Sequence, residues 1–222
     1  MSPERIAILR TGVDVEEAIY GRRSVRKYTD APVPEEDIRR IIQAASRAAN
    51  AGNQQMWHFL IIRNKEVTQR MQQEVITALQ EAMAWESSRP WETHLKSRVR
   101  GSSFFTEAPV VIAVLSKPYD TVLDSQVLPA HGLTFQDIYD LRGDPGRQSV
   151  GAAIQNMLLA AHAMGYGTCW MCGPLIARPG LERILDVTEP WRLVALVPLG
   201  VPAETPNPRP RKPVEEIVTW ID

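Results

Sequence analysis

Prolines at positions 202, 206, 208, 210 and 213 constrain this 222-residue chain more than any other feature of its sequence. Each ring fixes φ at about −65° and removes a backbone donor, so residues 202–213 can be neither a helix interior nor a central strand. What remains is a stiff arm of polyproline II character. The arm has no apolar face to fold upon, yet Val214, Ile217, Val218, Trp220 and Ile221 follow it. Leaving such a terminus in water costs roughly 25 cal/mol for each Å² of apolar surface. The two facts together predict that residues 202–222 cross onto another surface, which a second copy of the chain would supply.

Upstream of the arm, hydrophobic periodicity gives helices and short, dispersed strands. Asp14 is a good N-cap for a helix through Glu16 to Tyr20, with acid in the first turn where the helix dipole favours it. Pro34 opens a second helix whose Ile38, Ile41, Ile42 and Ala45 share one face. Val67, Met71, Val75, Leu79 and Met83 recur every four residues, the mark of a long amphipathic helix. Residues 150–164 form an Ala- and Leu-rich helix ended by Gly165, and residues 181–185 a short one after Pro179. Residues 59–62, 109–115 and 193–199 read as short strands, the second of them central because it is apolar throughout. Residues 168–171 add a further strand.

Pro90 and Gly101 are expected to break the chain after the long helix. Residues 116–147 carry no clean period and read as a long excursion of the lid type. With no repeat and no linker, the expectation is a single α+β domain over residues 1–222, a central sheet flanked by helices. Hydrophobic residues at 44% allow a sizeable core. A net charge of −1 supplies no global field for nucleic acid or an anionic membrane. The start, Met-Ser-Pro-Glu-Arg, lacks an apolar signal core, and two cysteines cannot form a disulfide framework, so a cytoplasmic location is expected.

Four constellations could carry chemistry. Arg22, Arg23, Ser24 and Arg26 place guanidinium forks and a hydroxyl where they can surround a phosphate, or else form a solvated basic helix end. Asn50, Ala51, Gly52, Asn53, Gln54 and Gln55 offer amides that can read a heteroaromatic edge such as a flavin pyrimidine, or a polar turn that ties down its own backbone. Around Cys169 and Cys172, glycines at 165, 167 and 173 let backbone approach a flat ligand. In a strand the two thiols would face opposite sides, so a disulfide is not expected, and no histidine spacing suggests a metal. Arg209 and Arg211 on the arm could complete an anion site begun by Arg22, or stay an exposed basic tail. No phosphate-binding P-loop, zincin or serine-hydrolase motif is present.

In order along the chain, these segments resemble the FMN-dependent nitroreductase family. The resemblance rests on Arg22-Arg23-Ser24-Val25-Arg26, on the loop and strand from Asn50 through Asn53, Gln55 and Trp57 to Phe59, on the helix with Gln155, Asn156, Leu158, Leu159 and Gly165, and on the Arg209-Pro210-Arg211 tail. Ala49-Asn50 and Met56 stand where the family has Pro-Ser and Pro. The resemblance implies an antiparallel-rich sheet, an interlocked homodimer, FMN as cofactor and NADH or NADPH as reductant. It implies that Arg22, Arg23, Ser24 and Arg26, joined by Arg209 and Arg211, hold the FMN phosphate and ribityl chain. Asn50, Ala51 and Asn53 of the partner subunit would touch the same flavin. Backbone at Cys172 and Gly173 would face the flavin N5, with no side-chain acid or base needed. Residues 84–105 and 116–147 would cover the active site.

Three functions fit this pattern. One is an NAD(P)H oxidoreductase acting on small electron-poor acceptors such as nitroaromatics or quinones. Another keeps the fold for dehalogenation, ring desaturation or flavin fragmentation. The last is a non-catalytic FMN-binding protein.

Overall fold

The structure, a computed structural model, describes residues 13–221, so the five N-terminal residues read above for a signal segment lie outside it. Strands β1 (Trp57–Ile62), β2 (Val110–Ser116), β3 (Gly167–Thr168) and β4 (Arg192–Gly200) form an antiparallel sheet in the order β1-β2-β4-β3. β2 lies inside the sheet, as its unbroken apolar run predicts, and every one of its residues is buried. Side chains alternate along it. Val110, Ile112 and Val114 enter one hydrophobic cluster, and Val111, Ala113 and Leu115 enter another.

The helices are α1 (Val15–Gly21), α2 (Glu35–Ala45), α3 (Lys65–Ala84), α4 (Glu92–Ser103), the single turn α5 (Leu128–Ala130), α6 (Phe135–Arg142), α7 (Pro145–Ala163) and α8 (Arg178–Ile184). α2 and α7 cover the first face through Ile38, Ile41 and Ala45 and through Ala153, Ile154, Met157 and Ala161. α3 and α8 cover the second through Met71, Val75, Leu79 and Leu181, with Phe104 and Phe105 beside them. Their starts follow local chemistry. The Asp14 carboxylate accepts from the Glu17 amide at 2.8 Å, and Asn64 caps α3 by accepting from the Glu66 and Val67 amides. Asp144 caps α7, with Pro145 at its first position, so α7 begins five residues before the apolar pattern does. None of the described helices is long and apolar enough to cross a membrane.

Four expectations need correction. Gly101 does not break the chain but lies inside α4, which continues to Ser103. The excursion 116–147 is not loop: it holds a π-helical turn (Leu123–Val127), α5 and α6, the last fixed by a capping box between Thr134 and Asp137. The strand at 168–171 is two paired residues followed by an isolated bridge from Met171 to Leu196. Cys172 therefore leaves the sheet and heads a 3-10 turn, Gly173–Ala177.

β2 and β4 slip register between Val114 and Leu115, which pair with Ala195 and Leu193. Val194 is the skipped residue, a β-bulge that also switches which face the following side chains take: Ala195 and Leu193 lie in different clusters. The arm leaves β4 at Val201 and carries no regular structure until the 3-10 turn Val214–Glu216. In the single chain Trp220 is 84% and Ile221 93% exposed, so the apolar terminus finds no home on its own subunit.

Candidate functional site

The segment after α1 runs along the outer edge of the sheet. Ser24 bridges Thr168 of β3 in parallel, and the Val25 amide donates to the Thr168 carbonyl at 3.0 Å. On its other side lies the root of the arm: the Thr29 amide donates to Val201, the Ala203 amide to Lys27, and Lys27 pairs with Glu204 at 3.8 Å. Val25 is buried against Gly167, where an added Cβ would come within 2.8 Å of it. The segment thus cannot shift without disturbing β3.

This framing gathers the arginines. Burial lowers the pKa of the half-buried Arg22, and the charges of Arg211 and Arg23 lower it further. Arg23 donates to the carbonyls of Tyr20 and Arg22, and Arg26 to that of Ser24. Among the described residues no carboxylate forms an ion pair with Arg22, Arg23, Arg26 or Arg211. Burial pushes the Cys169 thiol up, against the opposing pull of Arg26, the Ser24 hydroxyl and Arg22. His162, at the end of α7, is held below the usual histidine range by burial and then by Arg22 and Arg23. Glu204 reaches the edge of the cluster, its carboxylate accepting from the Arg26 backbone amide at 3.2 Å, but Arg22, Arg23 and Arg211 pair with no acid among the described residues and form a place where an anion lowers the energy.

The amide loop lies elsewhere. Asn50 accepts from the Gln55 amide at 2.9 Å and donates to the Ala48 carbonyl, and the Ala51 amide donates to the Ser149 hydroxyl. The turn that ties down its own backbone is thus realised in the single chain. Gly52, Asn53 and Gln55 all have φ near +50°, at 56°, 51° and 49°, a conformation that the two side-chain-bearing residues adopt only under constraint. Ser149 and His162 mark opposite ends of α7, about 20 Å apart at 1.5 Å per residue. Asn50, Ala51 and Asn53 therefore do not join their own chain's arginines.

From Thr168 the chain runs to Cys172 and Gly173, spans of at most about 14 Å and about 18 Å. Both cysteines are free, Cys169 buried and Cys172 exposed. The Cys172 thiol lies 3.9 Å from the carbonyl of the bulged Val194. Gly173 packs so tightly on α4 that a Cβ would meet the Ser102 hydroxyl at 2.5 Å. Val194 also lines a cavity of about 900 Å³ at this end of the sheet, between the excursion, α8 and the start of β4. Gln54 joins the loop to the excursion there, exchanging hydrogen bonds with the backbone of Asp120.

The nitroreductase family profile matches residues 19–201, which takes in Arg22, Arg23, Ser24, Arg26 and the amide loop but ends before Arg209 and Arg211. This chain belongs to the nitroreductase family. Among its relatives, a putative NADH dehydrogenase/NAD(P)H nitroreductase of Methanothermobacter thermautotrophicus is 32% identical over 89% of this chain and 82% of its own length. An NADH dehydrogenase of Thermus thermophilus is 30% identical over 94% of this chain and 96% of its own. A solved BluB-like flavoprotein of Clostridium difficile 630 superposes with a TM-score of 0.82 at 31% identity, covering 94% of this chain and 99% of that one. The α+β fold with its antiparallel sheet is the nitroreductase fold.

In this nitroreductase-family chain the structure brings Arg22, Arg23, Ser24, Arg26 and Arg211 together at one end of the sheet, with Arg209 exposed on the arm two residues before Arg211. Cys172 and Gly173 lie at the other end, beside the cavity. Sequence reasoning missed Thr168 and His162 as neighbours of the arginines, since neither carries a local signal. It also missed Lys117 and Arg178, cavity-lining cations that no motif marks.

Proposed function

We propose that this cytoplasmic protein is an NAD(P)H-dependent FMN oxidoreductase that works as a homodimer and reduces small electron-poor acceptors such as quinones or nitroaromatics. The observation that carries the reading is the cluster of Arg22, Arg23 and Arg211, held together without a carboxylate partner among the described residues. A phosphate dianion fits that cluster, with the Ser24 hydroxyl as a neutral donor and Arg26 at its rim. FMN, when bound, supplies the two-electron chemistry itself.

The chain's part is to hold and orient. Arg22, Arg23, Ser24, Arg26, Arg209 and Arg211 would hold the phosphate and ribityl chain. Cys172 caps the 3-10 turn and Gly173 opens it, so their backbone N–H groups are donors that a helix start leaves unpaired. They would face the reacting ring and steady negative charge there. Asn50, Ala51 and Asn53, remote from their own arginines, would serve the partner's site, and the arm over residues 202–222 would clasp the partner. α4 and the excursion, residues 84–105 and 116–147, would roof the site and limit water.

The overall reaction with a quinone balances as one quinone, one NAD(P)H and one proton giving one hydroquinone and one NAD(P)+. Purified protein should be yellow, release FMN on denaturation, and oxidise NAD(P)H steadily when a quinone is added. Colourless protein that ignores added FMN contradicts the cofactor. Bound FMN without turnover returns the chain to flavin binding alone. Products other than hydroquinone or reduced nitro compound, such as released halide or cleaved flavin, would assign it a different flavin reaction.

A further inference from the structure

The cavity of about 900 Å³ falls within the usual size of small-molecule sites, and its charges are uneven. Arg142 pairs with Asp124 at 2.6 Å, although the Asp124 Oδ1 that it meets makes no hydrogen bond among the described residues, Arg147 pairs with Asp144 at 3.2 Å, and Arg192 with Glu189 at 2.7 Å. Two lining cations have no carboxylate. The Lys117 ammonium rests 5.8 Å above the Trp191 ring. The Arg178 Nε is buried and has no hydrogen-bond partner among the described residues. Asp120, the one lining acid left over, is exposed and tied through its backbone to Gln54. The same lining includes apolar side chains of α6, Phe135, Ile138 and Tyr139, with Phe135 82% exposed.

The Arg178 Nε is closed off from the cavity as well as from acceptors, so a ligand would meet this guanidinium through its outer nitrogens, which form no ion pair or hydrogen bond among the described residues, an arrangement that a ligand oxygen would relieve. The planar fork of Arg178 suits a carboxylate better than it suits a neutral oxygen. The aromatic and aliphatic side chains of the same lining suit a flat ring. From these observations, and resting on the oxidoreductase reading above, we infer that the cavity takes a flat aromatic acceptor bearing a carboxylate, with Arg178 binding the carboxylate and α6 covering the ring. The preference is for acids over neutral acceptors of the same shape. The position beside Val194, whose carbonyl contacts Cys172, puts such a ring at the end of the sheet where Cys172 and Gly173 lie.

The test uses the FMN-loaded full chain with two acceptors, 4-nitrobenzoate and its methyl ester, and two inert probes, benzoate and benzamide. The acid should have the higher kcat/KM, and calorimetry should detect benzoate but not benzamide. Arg178→Met should reduce the acid-over-ester preference at least about tenfold, mainly through KM, and abolish benzoate binding. Arg178→Lys should lose less, and unchanged melting curves would show that both variants fold. A wild-type preference for the ester, or a preference unchanged in Arg178→Met, overturns the inference. So does a rise in KM for NAD(P)H in place of the acid's, which would assign Arg178 to the nicotinamide nucleotide. If the ester is reduced and benzoate does not bind, the oxidoreductase reading stands and the acid site falls. If neither acceptor is reduced while benzoate still binds through Arg178, the acid site stands and the oxidoreductase reading falls.

Discussion

Arg22 sits where its own charge is unfavourable, half-buried and beside Arg211 and Arg23. A residue kept there for stability alone would have a carboxylate partner, and none is present among the described residues. Function and stability should therefore respond in opposite directions. Arg22→Ala should weaken FMN binding about tenfold to a hundredfold while leaving the melting temperature of the flavin-free protein unchanged or raised. Lys27→Ala, which loses only an exposed pair with Glu204, should do little to either. Equal, small effects of both on FMN titrations would make the cluster an ordinary basic surface. His162 reports the same field. Its folded pKa lies below the unfolded value, so as pH falls below about 6.5 the unfolded chain binds the proton first. Its contribution is full above about pH 6.5 and is lost as pH falls through the folded pKa. His162→Gln should flatten that part of the melting-temperature profile, and bound FMN should flatten it in the wild type. A profile unaltered by the substitution would mean that the imidazole does not feel Arg22 and Arg23. The cysteines make a third case. Burial keeps the Cys169 thiol protonated, so a thiol reagent should label Cys172 alone, and Cys169→Ser with Cys172→Ser should retain turnover. Lost turnover with FMN still bound would point to dithiol chemistry.

Among the elements, the contact of α4 with the Cys172–Gly173 backbone is the one to test. Gly173→Ala drives a methyl group into the Ser102 hydroxyl, an overpacking that costs about 1–3 kcal/mol. Adding Ser102→Ala removes the oxygen and should restore most of the stability, a coupling that separate effects would not give. Additive losses in the double variant would show that α4 does not press on this backbone. The same helix shows why some elements were legible and others not. β2 announces itself by six consecutive apolar residues, Val110 to Leu115, and α3 by an apolar residue in every turn. α4 offers only Leu95 and Val99 among polar neighbours, so its period is thin, and Gly101 reads as a break although packing overrides it. α6 did carry local signs, Thr134 three residues before Asp137 and a short apolar stripe of Phe135, Ile138 and Tyr139, but they are too brief to stand out in a stretch with no sustained period. The arginine cluster and the amide loop were visible as motifs. Their separation along α7 was not, since it depends on which end of a helix each loop meets. Arg178 was invisible for a related reason: a lone arginine becomes notable only when folding hides its Nε from every acceptor.

Across the whole molecule, the apolar terminus and the amide loop pose one question. Val214, Ile217, Trp220 and Ile221 are exposed in the single chain, and Asn50 to Asn53 lie far from the arginines of the same chain. A dimer in which each arm crosses to its partner, and each loop completes the partner's flavin site, accounts for both. Binding and assembly are then linked: FMN stabilises the dimer, and loss of the dimer loses FMN. Deleting residues 203–222 should give a less stable, flavin-poor protein of lower association state. A truncated chain that remains a fully flavinylated dimer would remove the arm from the account. The most direct measurement is sedimentation velocity of the full-length protein, recorded both in the ultraviolet and at the visible absorption of the flavin. The account predicts that the visible signal travels wholly with a two-chain species at one FMN per chain. Flavin that sediments with a single chain, or a two-chain species that carries none, would contradict it.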